Sequence, residues 1–350
     1  MKLLKYVIYL ILLLGIGGAI LISTDEGVYT TSEVKTVSAP QEMVYDALKN
    51  WENWENWHKR WTEDPTTSLH NESKVLEWAS NNEMYEKGRI EFTKNIPYKT
   101  LEFDAEIQTS SGIMNQHNKI GLKENKNKET TVNWESEVTL SFWQKVSARL
   151  GKGDKYINSE TDLFISSLNT LDSILNDKMN EHNSEIVGLT ELPERNYIHT
   201  ATASNKANFI STATQKINEL YDYTEKYGIP IKGVPEIIIH KRENNNRNFL
   251  FSVALPLPDE YELDLDNPEM VIGTFEERPT LKTTLKGNYK FWEETLELGL
   301  EYLDKQRLEY SLDDGIIIKW PNFKEQPVNP AEWLTELYIP AYEPETLKIP

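Results

Sequence analysis

The second half of this chain is written twice. A strand-like run at Asn196–Ala203, a helical stretch from about Ser204 to Tyr227 and strands at Glu236–His240 and Asn248–Leu255 form the first copy. The same order returns as Thr280–Lys286, a helix from about Asn288 to Gln306, and strands at Ile316–Trp320 and Trp333–Ile339. Subtracting positions, Asn288 − Ser204 = 84 and Pro340 − Pro256 = 84, so helix starts and final strand ends share one offset. Two copies of one strand–helix–strand–strand order are a strong architectural signal. Aligned at this offset, Phe251-Ser252-Val253-Ala254-Leu255-Pro256 falls on Thr335-Glu336-Leu337-Tyr338-Ile339-Pro340. An acid, Glu336, thus stands in one copy where the other has Ser252.

That acid is the leading functional residue. Strand side chains alternate, so Leu334, Glu336 and Tyr338 share one face and Trp333, Thr335, Leu337 and Ile339 the other. A carboxylate in so apolar a strand faces solvent, pairs with a cation, or sits in a pocket with a shifted pKa. A rim carboxylate paired with Lys or Arg is the plain alternative to a ligand-binding anion. Simple alternation puts Trp333 opposite Glu336, and a bulge near Pro330 would be needed to re-aim it.

The N-terminus constrains location. Lys2 and Lys5 precede an uncharged stretch from Tyr6 to Thr24, close to the ~20 residues that cross a bilayer. A signal peptide has a shorter apolar region and a small-x-small cleavage site, which is not obvious near Ser23. The expectation is an uncleaved single-pass anchor over 1–24. With lysines before the span and Asp25 and Glu26 after it, the N-terminus is expected in the cytoplasm and the domains on the extracytoplasmic side. A cleaved signal would give the same side without the tether.

After a linker at 25–32, a strand at Glu33–Val37 leads to Ser38-Ala39-Pro40-Gln41, a helix start with Ser as cap and Pro in the first turn. Trp51, Trp54, Trp57 and Trp61 follow at spacings of three, three and four, as one face of a helical segment. Such a stripe either lines a cavity mouth or packs a core, and Tyr45 and Trp134 carry the same two readings. Strand-like runs at Lys74–Ala79, Met84–Thr93, Thr100–Gln108, Ile113–Lys123 and Thr130–Leu140 form a meander, and a long helix runs from about Asp154 to Met179.

Composition removes several classes. The net charge of −19 argues against nucleic acid or an anionic surface as the main partner. With no cysteine there are no disulfides and no thiolate metal sites. The six histidines, His58, His70, His117, His182, His199 and His240, never fall at metal-ligand spacing. Asp264, Asp266, Asn267 and Glu269 lack the glycine and closing Glu of a calcium loop and read as a solvated loop. Asn71-Glu72-Ser73 matches a glycosylation sequon but carries little weight. No nucleophile elbow, phosphate loop or dinucleotide fingerprint is present, so no metal and no cofactor is expected.

Two resemblances follow. Glu33 to Asp177, with VSAPQEMVYDALKNWENWENW at its head, Thr130-Thr131-Val132-Asn133-Trp134 as a late strand and Gly151 through Leu175 as closing glycine and helix, resembles the SRPBCC (START-like, polyketide-cyclase-like) superfamily. This implies a helix-grip domain with an apolar cavity between sheet and long helix, to which Trp51, Trp54 and Trp134 would contribute. Ile186 to Ala341, with Leu285-Lys286-Gly287-Asn288-Tyr289 and Thr335-Glu336-Leu337-Tyr338-Ile339-Pro340, resembles the GyrI-like, or bacterial transcription-activator effector-binding, domain. This implies a concave sheet binding hydrophobic, often cationic, compounds with the closing-strand glutamate at the pocket floor. Glu336 takes that place by position, with Tyr289, Trp333 and Tyr338 as neighbours. Here an apolar span and a START-like stretch precede the domain in place of a DNA-binding segment.

The expected architecture is therefore α+β, with a membrane helix (1–24), a linker (25–32), a START-like domain (33–179), a linker (180–185), a GyrI-like domain of two strand–helix–strand–strand repeats (186–341) and a tail (342–350). The expected function is non-catalytic binding of small hydrophobic molecules, cationic ones among them, with Glu336 as charge anchor. One alternative is a hydrolase with Glu336 as general base and Tyr289 or Tyr338 as acid or orienting group. Another is an envelope docking platform for a protein partner.

Overall fold

In a computed structural model the chain is a mixed α+β protein with two antiparallel sheets and an apolar N-terminal helix. The structure describes residues 2–72, 74–82, 85–109, 112–147, 149, 153–243, 247–258, 270–312 and 314–343. The acidic loop at 264–269, the turn at 244–246, Ser73 of the sequon and Gly151 lie outside the described residues. Two compact units, Met1–Asp177 and Lys178–Pro350, divide the chain.

The first unit opens with α1 (Lys2–Ser23), whose 20 residues from Leu4 to Ser23 are long and apolar enough to cross a membrane and are not buried by the protein. Next come β1 (Val28–Val37), α2 (Gln41–Lys49), α3 (Trp51–Trp57), α4 (Lys59–Thr62) and β2 (Ser68–Glu72). β3 (Val75–Ala79), β4 (Lys87–Ile96), β5 (Thr100–Thr109), β6 (Gly112–Glu124), β7 (Thr130–Thr139), α5 (Phe142–Ser147) and the long α6 (Gly153–Asn180) complete it. The strands are ordered β1-β7-β6-β5-β4-β3-β2, so the first pairs with the last and the meander runs out from there. Two expectations need correction. The stretch read as a linker, 25–32, is already strand from Val28, because each residue from Val28 to Val37 is paired with β7. Ser38 does not cap α2: Pro40 holds that position, and the Ser38 N–H donates instead to Asp172 Oδ1 at 2.7 Å.

The tryptophan stripe is core. Trp51, Trp54, Trp57 and Trp61 are each no more than 6% exposed, and their rings pack on one another and on the sheet. Trp51 stacks on Phe92 at 3.9 Å, Trp54 lies 4.7 Å from Trp51 and 6.1 Å from Trp134, and Trp134 stacks on Phe164 of α6 at 4.3 Å. Inside this aromatic mass sits His58, its ring 5.1 Å from Trp54 and 4.4 Å from Trp61. Burial, reinforced by the Arg60 charge, holds its imidazole well below the ordinary value of 6.5. The unfolded chain therefore takes up this proton first. Stability from His58 is present above about 6.5 and drains away as pH falls towards the lower folded value. In an NMR titration the His58 ring resonances are expected to stay unprotonated through pH 6; a midpoint near 6.5 would contradict this.

The second unit contains β8 (Asn183–Leu192), β9 (Arg195–Asn205), α7 (Phe209–Lys226), β10 (Glu236–Glu243), β11 (Asn248–Pro256), β12 (Val271–Phe275), β13 (Arg278–Lys286), α8 (Trp292–Gln306), β14 (Glu309–Tyr310), β15 (Ile316–Lys319) and β16 (Leu334–Tyr342). The path β12-β9-β11-β10-β15-β16-β13-β8 is symmetric about the β10–β15 pair: the first copy supplies β9, β11 and β10, the second β15, β16 and β13, β12 and β8 flank them, and β14 adds a short pairing to β16. The polar stretch read as a linker at 180–185 is corrected too: from Asn183 it is edge strand β8, in register with β13. Its polar residues are tolerated because an edge strand is solvated along one side. Helices α7 and α8 cover one face, where Phe209, Ile217, Phe251, Trp292, Leu337 and Ile339 form the main core. The opposite face carries a smaller apolar set, Leu192, Ile238, Ala254, Phe275, Ile317 and Tyr338.

Candidate functional site

The face turned away from α7 and α8 is where the predicted acid lies. Alternation along β16 sends Thr335, Leu337 and Ile339 into the buried interior, the latter two into the helix-side core, and leaves Glu336 and Tyr338 on the other side. Register then decides the neighbours. Glu336 is opposite Lys319 of β15 and Thr284 of β13, and Tyr338 is opposite Ile317 and Lys282. Side chains directly or diagonally across antiparallel strands touch, and they do here. Lys282 Nζ donates to Glu336 Oε1 at 2.7 Å, and the Tyr338 hydroxyl donates to Oε2 at 2.8 Å. Lys282 and Lys319 also lie over the Tyr338 ring, at 5.4 and 5.0 Å.

These contacts set the protonation of the site. Burial pushes the Glu336 carboxyl up, but the bonds from Lys282 and Tyr338 and the charges of Lys282 and Lys319 outweigh it, and the carboxyl lies below its ordinary 4.5. Burial, then the bond to and charge of Glu336, pushes the Tyr338 phenol well above its usual 10. At neutral pH the arrangement is a carboxylate gripped by an ammonium and a neutral phenol.

Next to it is a second ionic group that sequence reasoning missed. Glu236, 1% exposed, accepts two bonds from Arg195 Nε at 3.0 and 3.2 Å, another from the Arg195 Nη2, and one ion pair from Lys319 at 3.0 Å. Arg195 and Arg278 flank the Phe275 ring at 4.6 and 3.9 Å. An open cleft of about 600 Å³ on this face is lined by Tyr197, Ile238, His240, Phe275, Arg278 and Tyr342, among others.

The first copy carries its own version of the Glu336 contact. Lys282 reaches Glu336 from opposite Tyr338, two residues beyond the acid. His199 reaches Ser252 from opposite Ala254, two residues beyond the serine, with Nδ1 3.3 Å from the hydroxyl, while His240 Nε2 lies 2.8 Å from it. Burial, then the neighbouring His240, lowers His199, and burial lowers His240, so both imidazoles are neutral at pH 7. One copy thus holds a charged pair where the other holds a neutral hydroxyl between two imidazoles.

Of the four residues predicted for this pocket, the structure brings Glu336 and Tyr338 together. Tyr289 and Trp333 lie with the helices instead, and this corrects their grouping with Glu336. Tyr289 is 1% exposed, stacks on Trp320 at 4.1 Å and meets Trp333 at 4.8 Å, and Trp333 Nε1 donates to the Pro327 carbonyl at 2.8 Å. No bulge re-aims Trp333: a 3₁₀ turn at Pro330–Glu332 precedes the strand, which starts at Leu334. Trp51, Trp54 and Trp134 are together in the first unit, in the aromatic core. Among the described residues no group of three or more His, Asp or Glu is placed to hold a metal ion.

No family model matches the chain, and no curated protein matches it. Similar solved structures exist. EcmrR in a complex with DNA is 12% identical with a TM-score of 0.40, covering 57% of this chain and 72% of that one. The EcmrR C-terminal domain is 11% identical with a TM-score of 0.37, covering 47% of this chain and 99% of that one. A Staphylococcus epidermidis protein solved by NMR is 22% identical with a TM-score of 0.31, covering 46% of this chain and 96% of that one.

Proposed function

We propose that the second unit is a GyrI-like domain that binds a small, largely apolar molecule on its helix-free sheet face, without chemistry, and that α1 anchors the chain in a membrane with both units on the extracytoplasmic side. The observation that carries the binding reading is Glu336. It is an ionised carboxylate beside an apolar floor of Ile238, Ala254, Ile317 and Tyr338, among the charged Lys282, Lys319, Arg195 and Glu236, with both oxygens already oriented. A cationic ligand would take the place of Lys282 at Oε1 and lie against the Tyr338 ring, trading one ammonium for another at little desolvation cost. A hydrolytic role for Glu336 as general base would call for a carboxyl raised towards neutrality, whereas Lys282 and Lys319 help hold it low. The first unit is read as a START-like helix-grip domain, and the mutual packing of Trp51, Trp54 and Trp134 supports a core role for them.

The test uses calorimetry on the full chain with a phenylalkyl-trimethylammonium and its neutral carbon isostere. Glu336→Gln is expected to weaken the cation by about tenfold to a hundredfold while leaving the isostere nearly unchanged. Because the carboxyl stays ionised below its ordinary 4.5, cation affinity should be flat between pH 8 and 5. Equal cation affinity in wild type and Glu336→Gln would remove Glu336 as the anchor.

A further inference from the structure

The first unit carries a cluster of exposed apolar side chains that its own fold does not use. In α5, Trp143 is 69% and Phe142 39% exposed, their rings 5.3 Å apart. Ile113 of β6 is 53% exposed and Val28 of β1 42%. All four belong to one end of the sheet. Val28 pairs with Thr139, the last residue of β7, three positions before Phe142. Gln144 of α5 donates to Thr109 Oγ1 at 3.1 Å and to the Gly112 carbonyl at 3.5 Å, tying α5 to the end of the β5–β6 hairpin.

This end is also where α1 joins the unit. The apolar helix stops at Ser23, and Asp25, two residues on, is clamped by α5 and the segment after it. Arg149 Nη2 donates to the Asp25 carboxylate at 2.7 Å, and the Lys145 ammonium donates to its carbonyl. Gly27 lies beside the Lys145 side chain at φ +66°, a left-handed conformation in which another residue would be strained. The Leu140 N–H donates to the Gly27 carbonyl at 2.9 Å. The chain leaving α1 is therefore fastened to α5 within four residues and has no free tether.

The consequence is a matter of length. A 20-residue apolar helix spans the ~30 Å hydrocarbon core at about 1.5 Å per residue, which leaves residues 24–27 in the headgroup layer. Side chains on α5, three residues or fewer from the Lys145 clamp, fall at that same level. Tryptophan is enriched there, because its ring is apolar and its N–H finds water or lipid.

We propose that this end of the first unit sits in the membrane–water interface, with Phe142, Trp143 and Ile113 immersed among the lipid headgroups beside the point where α1 leaves the bilayer. The inference rests on α1 being a retained anchor. It makes the first unit a body seated on the membrane surface, with the aromatic edge of α5 as its second attachment.

The absence of cysteine allows single labels. The full chain, reconstituted in phosphatidylcholine vesicles containing phosphatidylglycerol, would carry one cysteine with an environment-sensitive fluorophore, as Trp143→Cys, Ile113→Cys or Asn127→Cys. Asn127 is exposed in the β6–β7 turn, at the opposite end of the sheet. Labels at 143 and 113 are expected to be quenched by lipid-borne quencher and to be several-fold less accessible to aqueous iodide than the label at 127. If the protein floats with the vesicles but all three labels are equally open to iodide, the interfacial seat is wrong while the anchor stands, and the patch is left to a protein partner. If the protein does not float, the anchor fails and this inference with it.

Discussion

Replacing Glu236 by alanine is expected to destabilise the second unit by about 3–5 kcal/mol, the range seen when one partner of a buried ion pair is removed. Glu236 is 1% exposed and holds two cations, Arg195 and Lys319, whose side chains are only 11% and 17% exposed. Removing the acid leaves Arg195 with only the Pro193 carbonyl and Lys319 with only the neighbouring Glu336 charge, and sets the two cations side by side. Lys319 also lies over the Tyr338 ring and opposite Glu336 in register, so the damage should reach the proposed site. Hydrogen exchange followed by mass spectrometry on the full chain localises the effect. Protection should fall across β10, β15 and β16 while the first unit keeps its own. A loss under about 1 kcal/mol would mean that water already satisfies these cations.

The second large effect is expected in the first unit at Glu160. Arg60 donates to both Glu160 oxygens at 2.9 and 3.1 Å, Gln116 donates to Oε2 at 2.9 Å, and all three residues are at least nine-tenths buried. Glu160→Ala should cost about 3–5 kcal/mol by stranding the Arg60 guanidinium. The Arg60→Met/Glu160→Leu pair should recover most of that loss, because apolar replacement of a whole buried pair is often neutral. Urea unfolding monitored by hydrogen exchange of α6 and β6 distinguishes the variants. A double variant as unstable as the single would show that the pair contributes beyond its own neutralisation, through Gln116 or through Arg60 against Trp78 and Tyr85, at 5.6 and 5.7 Å.

Local pattern carried much of this protein. Alternation in β16 was enough to put Glu336 and Tyr338 on one face and Leu337 and Ile339 on the other, because side-chain direction in a strand depends only on parity. The repeat foretold the doubled strand–helix–strand–strand order of the second half, because the offset of 84 is a matter of spacing along one chain. The apolar length of α1 was likewise plain. Elements whose existence depends on a partner were hidden: the starts of β8 and β1 read as polar linkers and became strands because β13 and β7 offer them unpaired backbone. Tyr289 and Trp333 were near Glu336 in the sequence argument only. The turns that precede α8 and β16 place them on the helix side.

By itself the sequence determined the parity of β16, the doubling of the second half and the apolar N-terminal helix, all of which follow from spacing along one chain. Tertiary structure alone decided which charges meet. Lys282 is 54 residues from Glu336, and Arg195 is 41 from Glu236. Only cross-strand register, fixed by the packing of distant strands, brings each cation to its acid, and so sets how far the charge of Glu336 is neutralised within the fold.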